Sequence, residues 1–213
     1  MNFFKLNPLR IILLMGGPGS GKSVQAARAG AAFHHVSTGE MLRNVARNPQ
    51  HPKAEYFKRL MSQGTLIPTN SLFKLLNSEL TKQSGKVYLL DGFPRTLSQW
   101  DLYKQHFGLP LGVIDFHLPQ QSMLERLMSR GRMDDTEAVA QSRIKEYYEQ
   151  TVPVADIIKA ECRLTAHTID ADQTIDQVHD DFITSLSAIH PDSNNENLCE
   201  SNDTHNPNPH IRR

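Results

Sequence analysis

Cysteine is nearly absent from this chain, with Cys162 and Cys199 far apart and no C-x-x-C pair. That usage argues against a disulfide scaffold or a zinc site and fits a reducing cytoplasm. An excess of charge of either sign is also missing, since 23 Lys and Arg balance 23 Asp and Glu. A neutral chain has no global attraction to nucleic acid or to an anionic membrane, so basic residues must act locally. Long apolar runs are missing too. The run Ile11 to Met15 is preceded by Lys5, Asn7, Pro8 and Arg10 and closed by glycines, so neither a signal peptide nor a membrane span is expected.

What is present is a phosphate-binding pattern. Gly16-Gly17-Pro18-Gly19-Ser20-Gly21-Lys22-Ser23 directly follows the apolar run and fits G, four residues, G-K-S in full. A loop between a buried strand and a helix turns successive backbone N–H groups inward, and its glycines let the chain approach an anion. The helix N-terminus adds positive potential. Lys22 then reaches the outer phosphates as a point charge.

The chain alternates strand-like and helix-like stretches. Strands are expected at Ile11–Met15, Val87–Leu90, Val113–Leu118 and Leu164–Ile169, and helices at Val24–Phe33, Ser71–Lys82, Ser98–Phe107, Gln121–Ser129, 136–150 and Thr174–Ile189. Alternation of this kind predicts an α/β fold, a P-loop NTPase-type parallel sheet with helices on both faces. At 213 residues one core is expected. From Pro191 to Arg213 the composition turns to Asn, Pro, Ser, Asp and His, which predicts a disordered tail over 191–213. The His34-His35 pair reads as packing or surface rather than as a metal site, and Trp100, Tyr147 and Tyr148 read as packing residues.

The second of these strands ends in Asp91-Gly92-Phe93-Pro94-Arg95-Thr96. A carboxylate there lies where open α/β sheets bind ligands, and beside a phosphate loop it suits magnesium, with the Ser23 hydroxyl as a second oxygen ligand.

These segments resemble the adenylate kinases within the nucleoside monophosphate kinase family. Val36-Ser37-Thr38-Gly39-Glu40-Met41-Leu42-Arg43 is similar to the family's monophosphate-binding signature, and Gly64-Thr65-Leu66-Ile67-Pro68 continues the match. Asp91 to Thr96 with Gln99 is the most specific element, and Gly131-Arg132-Met133-Asp134-Asp135 with Arg143 resembles the segment after the family's lid. The resemblance implies reversible transfer of the terminal phosphoryl group of MgATP to AMP, giving two ADP, by a cytoplasmic monomer without zinc. It also implies a core over 9–36, 67–128 and 136–190, a small helical monophosphate-binding insertion over 37–66 and a rudimentary lid over 129–135. Gly17, Pro18, Gly19, Ser20, Gly21, Lys22, Ser23, Val24, Arg126 and Arg130 would bind ATP. Thr38, Arg43, Leu66, Ile67, Gly92, Arg95, Gln99, Arg132 and Arg143 would bind AMP. Lys22, Arg95, Arg130, Arg132 and Arg143 would stabilise the group in flight, and Ser23 and Asp91 would hold Mg2+. Planar guanidinium forks suit phosphate oxygens, and phosphoryl transfer needs positioning and charge neutralisation more than a base.

The chain departs from the family in three places. Ser23-Val24 stands where Gly-Thr usually follows the lysine, so one hydroxyl moves by a residue, and Glu40 replaces an aspartate. The lid is reduced to Arg130-Gly131-Arg132. If that link is extended, its two arginines point the same way with Cα atoms roughly 6–7 Å apart, close enough to share a polyphosphate. Without a flap, water exclusion is expected to suffer. Two other readings stay open on sequence alone: a kinase for UMP, CMP or another acceptor, and a catalytically weak regulatory protein that binds adenine nucleotides.

Overall fold

The computed structural model describes residues 9–82, 86–131 and 136–191. Five strands form one parallel sheet: β1 (Ile11–Gly16), β2 (Phe33–Ser37), β3 (Val87–Asp91), β4 (Gly112–His117) and β5 (Ala166–Asp170), in the order β2-β3-β1-β4-β5. Parallel strands need helical crossovers, and these cover both faces, as the alternating pattern predicts.

The period of two along β1 sorts its side chains between two cores. Ile11, Leu13 and Met15 pack on one side with Trp100, Tyr103, Leu76 and Ile158, while Ile12 and Leu14 pack on the other with Phe116, Met123, Ala140 and Phe182. The first face carries α4 (Thr69–Leu80), α5 (Leu97–Phe107) and α8 (Val152–Glu161). The second carries α1 (Lys22–Ala27), α6 (Gln120–Ser129), α7 (Glu137–Glu146) and α9 (Ile175–Ile189). Two short helices, α2 (Thr38–Arg47) and α3 (Ala54–Ser62), stand between β2 and α4. Trp100 is fully buried and Tyr147 packs against the second core, as the sequence implies, whereas Tyr148 is exposed.

Hydroxyl caps set several helix starts. Ser37, Thr96 and Thr136 each accept a backbone N–H three residues on, and Thr174 with Gln177 forms a reciprocal capping box at the head of α9.

The elements differ from expectation in three places. The helix expected over 24–33 stops at Ala27, because Gly30 turns the chain with φ +91°, and Phe33 already begins β2, an unpredicted strand. Expected as one helix, 136–150 becomes α7 followed by a π-helical turn, Tyr147–Thr151, that runs into α8. Pro153 lies in the first turn of α8, directly after the π-helical turn. Leu164 belongs to a short 3₁₀ turn before β5 rather than to the strand. The tail expected over 191–213 falls outside the described residues beyond Pro191.

Candidate active site

β1 lies between β3 and β4, and the chain leaves it toward β2 on one side and returns to β4 on the other. Such a switch point opens a crevice at the carboxyl ends of the strands. A cavity of about 830 Å3 lies there, walled by the loop after β1, the loop after β3, α2, the segment 64–67, α7 and the segment before α9.

The loop after β1 needs its glycines for close approach. Gly16 has φ +128°, and a Cβ there would stand 2.5 Å from the carbonyl oxygen of Phe116. Lys22 Nζ donates to the carbonyls of Gly16 and Gly17 at 2.9 and 2.8 Å and to Ser20 Oγ at 2.9 Å. Burial pulls the Lys22 ammonium down to about 8; Asp91 and Asp115 oppose that shift, while Arg95 and Arg130 add to it. An anion in the cradle would favour the charged lysine.

Asp91 closes β3 and reaches this loop. Its Oδ2 accepts the Ser23 hydroxyl at 2.5 Å, and His35 Nε2 stands 3.6 Å from the same oxygen. Burial pushes the Asp91 carboxyl up, but the His35 imidazole, the Lys22 charge and the Ser23 hydroxyl outweigh it and hold the group at about 2. A carboxylate ionised at neutral pH beside a hydroxyl is a set of hard oxygen donors that fits Mg2+.

Guanidinium groups line the same cavity. Arg95 is steered by its own loop, with Nε donating to the Gly92 carbonyl at 2.9 Å and its backbone N–H donating to Gln99 Oε1 at 2.8 Å. Thr38 donates to the Asp91 carbonyl at 3.1 Å, which ties the start of α2 to the end of β3. Gly92 must lack a side chain, since a Cβ at its φ of +85° would stand 2.5 Å from Thr38 Oγ1. Arg43 donates through Nε and a terminal nitrogen to Glu40 Oε2 at 3.0 and 2.7 Å, and it lines the cavity beside Thr38. Leu66 and Ile67 line the same end, and Arg143 faces it from α7. Arg126 bonds the Ala171 carbonyl at 2.8 Å and lines the other end with Val24 and Arg130.

All the site residues expected from sequence therefore surround this one cavity except Gly17, whose carbonyl nonetheless holds Lys22, and Arg132. Arg132 lies outside the described residues, as do Asp134 and Asp135.

Four positions are not evident from sequence. Glu146 lines the cavity from α7, one turn after Arg143, and a spacing of three on a helix could have flagged it. Gln173 and Ile175 sit at the carboxyl end of β5 and the head of α9, where the strand-end rule places ligands. His35 reads from sequence as a packing or surface residue; only the pairing of Ser37 with Asp91 across β2 and β3 brings its ring near the carboxylate.

Glycine loop at the switch point, cationic wall across one cleft: the fold and site define a P-loop nucleotide-binding protein. Within that class the chain belongs to the adenylate kinase family, whose family model, Adenylate kinase, matches residues 14–162. It is 33% identical over 184 residues to Adenylate kinase 1 of Schistosoma mansoni, covering 83% of this chain and 92% of that protein. It is 33% identical over 186 residues to Adenylate kinase of Mycobacterium sp. (strain MCS), covering 84% and 98%. Adenylate kinase isoenzyme 1 of Homo sapiens is 29% identical over 193 residues, 87% of this chain and 98% of its own length.

Proposed function

We propose that the cavity holds two nucleotides at once and passes the terminal phosphoryl group of MgATP to AMP, giving two ADP. The observation that carries this reading is that Lys22, Arg43, Arg95, Arg126, Arg130 and Arg143 all line one cleft, more cationic groups than the phosphates of a single nucleotide need.

The donor's phosphates lie on the backbone N–H groups of Gly17 to Val24 and on Lys22, with Arg126 and Arg130 beside them. Val24 and Ile175, half or more exposed in the same wall, offer an apolar surface to the donor base. Ser23 and Asp91 would hold the magnesium ion, which when bound neutralises charge on the phosphate oxygens.

The acceptor lies across the cleft. Arg43, Arg95 and Arg143 clamp its phosphate, with Arg132 from the link between α6 and α7. Glu40 must release part of its hold on Arg43 for that clamp to form. Thr38, Leu66, Ile67 and Gly92 border its base and sugar. Gln99 has already given its amide oxygen to Arg95 N, so its amide nitrogen is the group left to meet a base edge. No side chain need act as a base, because the acceptor phosphate is itself the nucleophile and the enzyme supplies alignment and charge stabilisation.

The insertion over 37–66 is the acceptor-binding unit, the segment 129–135 is what remains of a lid, and the rest is the core. No described helix is long and apolar enough to cross a membrane; the scarcity of cysteine suits a cytoplasmic protein.

The test is the rate of ADP formation from MgATP with AMP, UMP or CMP. Highest kcat/KM with AMP is expected; a higher value with UMP or CMP would overturn the choice of acceptor.

A further inference from the structure

Glu146 has no part in the scheme above, yet its carboxylate stands in the wall of the same cavity among cations. Its Oε1 accepts the backbone N–H of Leu66 at 3.1 Å. One turn earlier on α7, Ser142 Oγ donates to the Gln63 carbonyl at 3.4 Å, so a single helix face latches the segment that borders the acceptor base. The charged groups acting on Glu146 are Arg95 from the loop after β3, Arg143 from its own helix and Glu149 from the π-helical turn. Burial pushes its carboxyl above the ordinary glutamate range, and the Leu66 N–H, then Arg95 and Arg143, only partly oppose that.

We propose that Glu146 is the counter-ion that the acceptor's phosphate displaces: it neutralises Arg95 and Arg143 in the free enzyme and takes up a proton when the phosphate dianion binds them. The inference rests on Arg95 and Arg143 facing the acceptor phosphate. A dianion arriving beside a carboxylate is a like charge, and like charges drive a carboxyl toward its protonated form. Protonation leaves one oxygen still able to accept from Leu66 N, so the latch on 63–66 persists while the negative charge disappears. Charge and latch are thus separable. Glu146 thereby makes acceptor affinity depend on pH while keeping the two arginines from repelling each other in the empty site.

The Glu146→Gln variant removes the charge and keeps an oxygen for Leu66 N, whereas Glu146→Ala removes both. With the full-length protein and AMP as the probe, KM and kcat are measured from pH 6 to 8.5, and proton uptake on AMP binding is measured by calorimetry in buffers of different ionisation enthalpy. At pH 8 the KM of E146Q is expected to fall by a factor of about 3 to 10, the size of a coupling of half to one pKa unit, with the change carried by KM rather than kcat. The gap closes toward pH 6, and E146Q takes up less proton than wild type. E146A is expected to raise KM across the range, as loosening of the segment outweighs the lost repulsion. If E146Q fails to fold, wild-type calorimetry still decides, since uptake no greater than AMP's own titration supplies contradicts the proposal. Wild type that phosphorylates AMP while E146Q keeps the same KM profile and proton uptake overturns the counter-ion alone. Wild type that neither binds nor phosphorylates AMP overturns the acceptor reading, and this inference with it.

Discussion

The Ser23 hydroxyl donates a hydrogen bond to Asp91 Oδ2, joining the phosphate loop to the end of β3 across 68 residues of sequence. Through this contact the unusual serine after the lysine holds the carboxylate and presents a second hard oxygen next to it. Ser23→Ala is expected to lower stability by about 1.5 kcal/mol, the worth of a hydrogen bond to a charged group. It should also raise the Mg2+ concentration needed for half-maximal turnover. Titration of activity with Mg2+ checks it, and an unchanged midpoint would remove Ser23 from the metal site.

The Asp91 carboxyl lies at about 2 against 3.8 for an unperturbed aspartate, so its ionised form favours the fold. That stabilisation is complete above the unfolded-state pKa and is lost as pH falls from about 4 toward 2; the shift corresponds to about 2 kcal/mol. Asp91→Asn should therefore be less stable than wild type by this amount at pH 7, and the gap should narrow between pH 4 and 3. Urea unfolding across that range measures it.

Val24 is half exposed in the cavity wall next to Ser23 and has no hydroxyl to offer a phosphate. Val24→Thr is expected to lower KM for MgATP by a few-fold to about tenfold, the effect of one added hydrogen bond to an anion. An unchanged KM would mean that the loop's backbone N–H groups already satisfy the phosphate.

Beneath the loop, Lys159 Nζ donates to Asp115 Oδ2 at 2.8 Å, while Asp115 Oδ1 is buried with no hydrogen-bond partner among the described residues. Lys159→Met leaves that carboxylate uncompensated and should cost on the order of 3 kcal/mol. Adding Asp115→Leu to the same chain should restore much of the loss. Thermal melts of the single and double variants test this.

The parts of this site that are legible in the sequence are those whose chemistry is local. A phosphate loop is made by consecutive residues, so Gly16 to Ser23 can be read directly, and Asp91 can be read because a strand and its terminal carboxylate are adjacent in sequence. Glu146 and Ile175 are only hinted at, by the spacing of Glu146 from Arg143 and by the place of Ile175 after β5, because each reaches the cavity through the packing of its helix on the sheet. Strand β2 is hidden for a related reason: Phe33-His34-His35-Val36 lacks clean alternation, and its strand character comes from pairing with β3. The π-helical turn at 147–151 likewise overrides a Thr-Val-Pro sequence that by itself reads as a break.

Transfer between two nucleotides in one cleft is tested most directly by following the label from ATP carrying a marked γ-phosphate. Mixed with AMP and Mg2+, the wild-type protein should deliver the label into ADP as its β-phosphate. Lys22→Met should lose this by a factor of about 10² to 10³, as when a single donor to developing charge is removed elsewhere. Only seven residues separate α6 from α7, so without AMP some label should also leak into inorganic phosphate. Label that reaches inorganic phosphate alone, or stays in ATP with AMP bound, would contradict the account.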